Sequence, residues 1–441
     1  MESETGKAST GNGVNGVTGN RDALIQRLHA ELLGVVHKMP YDQAFDKIHE
    51  TLLLAGVTES EALDLNTKLR EELGFGPRRL RTFELFLTRN CNLDCPYCFV
   101  HRKEPEVMAR ETLDSALQFI IENRDPSSKT SVVFMGGEPT MCFGRIKHAV
   151  GTLLSAIGRD HRKIRFDITS NGTLITEEMM QFFSRNNVKV LLSLDGDRES
   201  HDLKRRTSLG EGTFDRIVEN LPMIRRYQPY LGARMTIAPE RAEWLLHDIR
   251  VVSELGFRKI IVGPATGVEW SAQALEVFEE QYRLSMKWLE ALSEEERPSC
   301  SLDEATRETA LCDSPHRWGC RAGRTGIAID TRGRISPCSK VIGVEEASGG
   351  AMWLGDVFKG ITNEALHLKL NGLVPVNRDG CWSCSMRAGC AGGCYATNLE
   401  SHGDPWGVDP MTCSVRDVML RIARERSSEA SAGVAGEPAK P

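Results

Sequence analysis

Cysteine placement sets the strongest limit on what this chain can become, because its 13 cysteines are grouped rather than scattered. Cys91, Cys95 and Cys98 form a C-x3-C-x2-C run directly after an apolar segment. Cys320, Cys338, Cys381, Cys384, Cys390, Cys394 and Cys413 crowd the last third, while Cys142, Cys300 and Cys312 stand apart. An odd count in a chain without a visible secretory signal fits metal or redox chemistry better than a disulfide framework. Two such groups far apart in sequence predict two metal-bearing regions.

Composition removes other classes. With 40% hydrophobic and 26% charged residues over 441 positions, a folded core is expected. Lys and Arg total 55 against 61 Asp and Glu, a net charge of -6, which excludes a broadly basic nucleic-acid surface. No apolar run approaches the roughly 20 residues of a membrane span. The polar, Gly-rich start lacks an apolar signal core, so the expectation is a cytoplasmic chain with neither nucleic-acid nor membrane partners.

Hydrophobic periodicity divides the chain. Residues 1–20 and 427–441 are Gly, Ser and Ala-rich and are expected to be disordered tails. Helical spacing of Leu24, Leu28, Leu32 and Val35, continued by Ile48, Leu52, Leu63 and Leu69, predicts a helical lead-in over 21–78. Apolar, β-branched runs follow at 82–88, 130–135, 164–169, 188–194, 232–237 and 258–263. Helical stretches lie between them, at 111–123, 144–158, 177–186, 213–226 and 242–255. Six strands alternating with helices predict an α/β fold of parallel units, too few for a closed eight-stranded barrel. The expected core is therefore a partial (β/α)6 TIM barrel over 79–275, with chemistry at the C-terminal strand ends. A helical linker, with its helix at 277–296, is expected over 276–311, and a Cys-rich, metal-organised domain over 312–420.

Three thiolates in one loop can hold three irons of a cubic cluster and leave the fourth iron open to a ligand. The competing reading is zinc, which wants four ligands, and only His101 lies near enough in sequence to supply one. Gly136-Gly137-Glu138-Pro139 follows the second strand. Its glycines permit close backbone approach and Glu138 offers an acceptor, although such a segment also makes an ordinary turn.

The run Cys-x3-Cys-x-Tyr-Cys, with Tyr97 before the third cysteine, resembles the radical S-adenosylmethionine (radical SAM) family. That resemblance implies a 4Fe–4S cluster on Cys91, Cys95 and Cys98, with S-adenosylmethionine (SAM) chelated by the open iron. It implies that Tyr97 packs near the adenine and that Gly136, Gly137, Glu138 and Pro139 serve the methionine ammonium. It also implies that Ser170 and Ser193 contact the ribose or methionine carboxylate. Arg205, in a stretch similar to the family's SxDG…HDxxR pattern, either pairs with that carboxylate or belongs to a solvated Lys-Arg-Arg face.

The last third resembles the family's SPASM extension, through Cys320-x12-Gly333-x4-Cys338 and Cys381-x2-Cys384-x5-Cys390-x3-Cys394, then Cys413. By that resemblance Cys320, Cys338 and Cys394, with Cys312 as fourth ligand, hold one auxiliary 4Fe–4S cluster. Cys381, Cys384, Cys390 and Cys413 hold a second. Cys142 and Cys300 remain as packed thiols.

The resemblance covers about 82–420 and implies a 5′-deoxyadenosyl radical that crosslinks or oxidises a ribosomal precursor peptide, with an electron donor such as flavodoxin or ferredoxin. Formylglycine formation in sulfatases and small-molecule dehydrogenation are alternatives, and a non-catalytic iron–sulfur carrier has no use for the Gly-Gly-Glu-Pro segment. Formylglycine-forming relatives place an Asp after the second cysteine of the first auxiliary set. Here that residue is Ser339, a poor base with no evident activating partner in the sequence, and another acid such as Asp330 or Glu345 would have to fill the role, which lowers that reading without removing it.

Overall fold

A computed structural model of the chain describes residues 27, 41–54, 56–62, 64–65, 80–101, 103–160, 162–302, 322–344, 352–372, 381, 384 and 393–434. It forms two units, 1–77 and 78–441. In the first, α1 (Tyr41–Leu54) falls within the expected lead-in, and its Leu52 is buried.

The second unit follows the strand–helix rhythm of the sequence. In chain order come β1 (Thr82–Phe86), α2 (Arg110–Asn123), β2 (Thr130–Met135), α3 (Phe143–Ile157), β3 (Ile164–Ser170), α4 (Glu177–Arg185) and β4 (Val188–Ser193). Then come α5 (Arg198–Lys204), α6 (Phe214–Tyr227), β5 (Gly232–Ile237), α7 (Leu245–Glu254), β6 (Lys259–Pro264) and α8 (Ala272–Ala291). Side-chain caps start several helices. Thr176 accepts from Met179 N before α4, Asp197 from Ser200 N before α5 and Ser271 from Ala274 N before α8.

β1 to β6 pair in parallel and in sequence order. Period-two alternation gives this sheet two unlike faces. Phe83, Leu85, Val132, Phe134, Phe166, Ile168, Val190 and Leu192 are buried in one cluster with Leu113, Ile120, Ile146 and Ile217 of the helices. On the opposite, open face Glu84, Val133, Asp167, Leu191, Arg234 and Thr236 are only half-buried.

The sheet continues past the expected six strands. β7 (Ser299–Cys300) adds in parallel to β6, and β8 (Gly326–Ile329) adds in parallel to the free side of β1. β9 (Arg334–Ser336) pairs antiparallel to β8. Next come α9 (Ser339–Val344), β10 (Gly355–Asp356) and β11 (Gly360–Ile361), giving a mixed, open sheet of order β11-β10-β9-β8-β1-β2-β3-β4-β5-β6-β7. Runs of two to four residues carry too little alternation to be read as strands.

Three helices complete the unit: α10 (Glu364–Gly372), α11 (Tyr395–His402) and α12 (Pro410–Val434). Two sequence expectations are corrected here. The linker helix spans 272–291 rather than 277–296, because the Ser271 cap starts it early. α12 reaches Val434, so part of the expected 427–441 tail is helical.

Candidate metal and cofactor site

The loop after β1 carries Cys91, Cys95 and Cys98, all half-buried, at the C-terminal edge of the parallel strands. Three neighbouring segments hold it. From β2, Gly137 N donates to Thr88 O at 2.8 Å and Glu138 N to Asn90 O at 2.9 Å, continuing the β1–β2 ladder beyond both strands. Contact is tight enough that a Cβ on Gly137 would lie 2.2 Å from Asn90 O. The glycines are thus required by backbone approach.

From β3, Asn171 Nδ2 donates to Asn92 Oδ1 at 2.9 Å, and Asn92 Nδ2 donates to Thr173 Oγ1 at 2.8 Å. From the segment after α5, Arg206 O accepts from Asp94 N at 2.7 Å. The cysteine loop is therefore pinned by protein groups alone.

Glu138 is the lock between β2 and β3. It is 1% exposed, and its two oxygens accept from Thr140 N and Oγ1, Ser170 Oγ and Asn171 N. Burial pushes its carboxyl up, against four hydrogen bonds that favour the charge. Three of these bonds go to Oε1 and one to Oε2, so Glu138 ties the β2 and β3 ends together. Ser170 is likewise engaged, donating to Glu138 and accepting from Gly172 N.

A second network sits beside the triad and centres on Asp195, a residue the sequence reading passed over. Arg205 reaches it with two prongs, Nε to Oδ2 at 2.8 Å and an Nη to Oδ1 at 3.1 Å, while Tyr97 OH donates to Oδ2. Thr236 N adds a bond to Oδ1 at 2.8 Å. Arg205 is buried, which corrects the solvated-face reading. Burial opposes its charge, yet Asp195 more than offsets this and raises its pKa.

Arg234 faces the same space from β5, paired in register with Ser193. Its Nη1 donates to Ile261 O at 3.3 Å. Gly263 leaves room for the guanidinium, since a Cβ there would lie 2.7 Å from its nitrogen.

The donor set discriminates between the two metal readings. Among the described residues, the three sulfurs do not all lie within 4.8 Å of one another. One tetrahedral zinc at about 2.3 Å per sulfur would bring them to about 3.8 Å. A cluster instead spreads three thiolates over three irons. His101, the possible fourth zinc ligand, spends Nε2 on Glu400 at 2.9 Å. Burial pushes the Cys91 thiol up and the Cys95 thiol up to about 11, which disfavours an uncompensated thiolate at either position. The residues fit a cluster.

Of the C-terminal ligands, Cys338 precedes α9, Cys394 precedes α11 and Cys413 lies in α12. Cys381 and Cys384 are linked by a Cys384 N to Cys381 O bond at 3.1 Å. Cys312, Cys320 and Cys390 lie outside the described residues. At Cys394 burial raises the thiol pKa, but Lys340 and the Thr397 bonds outweigh it and lower the net value. Cys142 and Cys300 are buried in the core cluster.

This geometry agrees with the comparisons to known proteins. Residues 85–250 match the model of the Radical SAM superfamily. That matched stretch contains the cysteine loop and the ends of β2 to β5. A cysteine-type anaerobic sulfatase-maturating enzyme of Clostridium perfringens is 31% identical over 145 residues, 31% of this chain and 39% of that protein. The match thus spans about two-fifths of that relative's length. The radical SAM cyclopropyl synthase TigE of Paramaledivibacter caminithermalis is 20% identical over 379 residues, 79% of this chain and 75% of that protein. Among solved structures, anSMEcpe with bound AdoMet superposes with a TM-score of 0.65 at 20% identity, covering 80% of this chain and 99% of that one. SuiB of Streptococcus suis bound to precursor peptide SuiA gives 0.57 at 17% identity, covering 80% and 81%. These two overlaps establish the fold. No described helix is long and apolar enough to cross a membrane.

Proposed function

We propose that the chain is a radical SAM maturase that modifies a ribosomally made precursor peptide by crosslinking or oxidation. The supporting observation is the cysteine loop clamped between the Gly-Gly-Glu-Pro segment and the β3 end. On this reading β1–β6 form a partial barrel and 312–420 a SPASM-type domain. That domain would hold two auxiliary clusters, one on Cys312, Cys320, Cys338 and Cys394, the other on Cys381, Cys384, Cys390 and Cys413. Peptide substrates are supported by SuiB bound to SuiA and anSMEcpe bound to the Cp18Cys peptide. The working site is cytoplasmic, with a flavodoxin or ferredoxin as reductant.

Cys91, Cys95 and Cys98 would hold the radical-site cluster, which when bound supplies the electron that splits a carbon–sulfur bond of SAM. The protein's work is placement and exclusion of water. The β2–β3 lock fixes the backbone carbonyls that would meet the methionine ammonium. Tyr97, oriented by Asp195, would flank the adenine, and Ser193 would contact the ribose. Arg205 has Nε and an Nη committed to Asp195. Arg234, with one weak hydrogen bond, is better placed to receive the methionine carboxylate.

The test is anaerobic incubation of reduced protein with SAM and candidate precursor peptides, read by mass spectrometry for 5′-deoxyadenosine and for loss of hydrogen from the peptide. Conversion of Cys or Ser to formylglycine in a sulfatase-type peptide, with precursor peptides untouched, would transfer the assignment to sulfatase maturation.

A further inference from the structure

We propose that Glu84 is the proton acceptor of the reaction, held in place by Ser339. This rests on the peptide-oxidising reading above. Its starting point is the open face of the sheet, where a substrate held near the strand ends must lose its proton to some side chain.

Among the described residues, most carboxylates near that face are spent. Asp167 is bound through both oxygens by Arg165. Asp195 accepts from Arg205, Tyr97 and Thr236. Glu138 is buried under four hydrogen bonds. Glu84 differs. It is half-buried on β1, side by side with Val133 of β2 and Ala328 of β8. Ser339 N at 2.7 Å and Ser339 Oγ at 2.5 Å both donate to its Oε2. Among the described residues Oε1 accepts no hydrogen bond, so one oxygen is anchored and the other is available.

The anchor also has a meaningful neighbour. Ser339 directly follows Cys338, a proposed ligand of the first auxiliary cluster. Lys340, the next residue, ties α9 to Thr266 at 2.6 Å and Thr397 at 2.7 Å, so the anchor is fixed on both sides. The proposed proton acceptor is thus hydrogen-bonded to the residue that directly follows a proposed ligand of the electron acceptor. The sequence left Ser339 without an activating partner; the structure supplies one from a strand 255 positions away.

The 5′-deoxyadenosyl radical takes a hydrogen atom from a substrate carbon and becomes 5′-deoxyadenosine. The resulting carbon radical gives one electron to an oxidised 4Fe–4S cluster. A neighbouring S–H, O–H or N–H gives its proton to Glu84 Oε1, and its electron pair forms the new bond to that carbon. The substrate has then lost two protons and two electrons.

Glu84→Gln retains an oxygen for both Ser339 donors but cannot take a proton. The experiment uses reconstituted full-length enzyme, SAM and carbon-deuterated precursor peptides. Wild type should release about one deuterated 5′-deoxyadenosine per oxidised peptide. Glu84→Gln should raise that ratio at least tenfold while the 5′-deoxyadenosine still carries deuterium, and Glu84→Asp should recover part of the coupling. Wild-type coupling in Glu84→Gln would overturn the assignment. So would parallel loss of deuterium transfer and product, which marks Glu84 as purely structural. A wild type that cleaves SAM yet leaves every peptide unchanged removes the peptide reading, and Glu84's role with it.

Discussion

The two cysteine regions are built by different means. The 91–98 loop is held by the ends of β2 and β3 and the strand-like 205–207 segment, through backbone bonds and buried amides that need no metal. Of the described C-terminal cysteines, Cys338 and Cys394 precede the short helices α9 and α11 and Cys413 lies in the first turn of α12, with local bonds such as Asn398 N to Cys394 O and Cys413 N to Asp409 O. The cysteine loop is preorganised by a sheet; at the C-terminal cysteines the proposed clusters would supply more of the order. They meet where α9 lies on the cysteine loop, so closely that a Cβ on Gly343 would sit 2.0 Å from Phe99 O.

Removing ligands from each region gives the largest expected contrast. Cys95→Ala should abolish SAM cleavage while thermal unfolding stays within a few degrees of wild type, since the loop's hydrogen bonds remain. Cys394→Ala should lower iron content and expose the C-terminal region to proteolysis. Fully reconstituted protein should hold about twelve irons, and replacing Cys91, Cys95 and Cys98 together should leave about eight. Iron loss from the C-terminal sites in that triple variant would break the comparison.

Next in size is the buried pair beside the sheet-held loop. Asp195→Ala strands the Arg205 charge and should cost about 3–5 kcal/mol in chemical denaturation. Asp215→Ala, at the exposed Arg198–Asp215 pair, should cost under about 1 kcal/mol. Equal costs would mean that Asp195 does not organise this end of the sheet.

What the sequence displayed and what it concealed follow the same division. Parallel strands were legible because five to seven apolar or β-branched residues recur between helices, and the cysteine spacing marked the loop itself. Asp195 was hidden inside Ser-Leu-Asp-Gly, where the serine attracted attention and the partner, Arg205, lies 10 residues on. The Glu84–Ser339 contact joins positions 255 apart and leaves no periodic trace. β8 to β11 are too short to show alternation.

Acid sensitivity should also locate to the sheet-held region. His201 accepts from Asp195 N through Nδ1 and therefore donates from Nε2 to Thr213 Oγ1. Burial lowers its pKa to about 4 from 6.5. A depressed folded value means that its stability contribution is complete above the unfolded pKa and is lost as pH falls toward 4. Asp248, pushed up to about 6 from 3.8 by burial, acts oppositely, its contribution being full below 3.8 and lost as pH rises through 6. In an Asp248→Asn background, urea stability should therefore fall by about 2 kcal/mol between pH 7.5 and 5. Adding His201→Gln should flatten that slope; an unchanged slope would place the titration elsewhere.

The smallest effect tests the division of cysteines itself. If three radical-site ligands and eight auxiliary ligands account for eleven of the 13, Cys142 and Cys300 bind no iron. Both are buried with the core, Cys142 6% exposed and Cys300 1% exposed, and each fills space an alanine would leave partly empty. Cys142→Ala and Cys300→Ala should each cost about 1 kcal/mol in denaturation, the scale of removing one small buried group. Iron content and the visible absorption of the reconstituted protein should not change. A loss of about four irons in either variant would show that the ligand sets extend into the sheet core, and the contrast between the two regions would no longer hold.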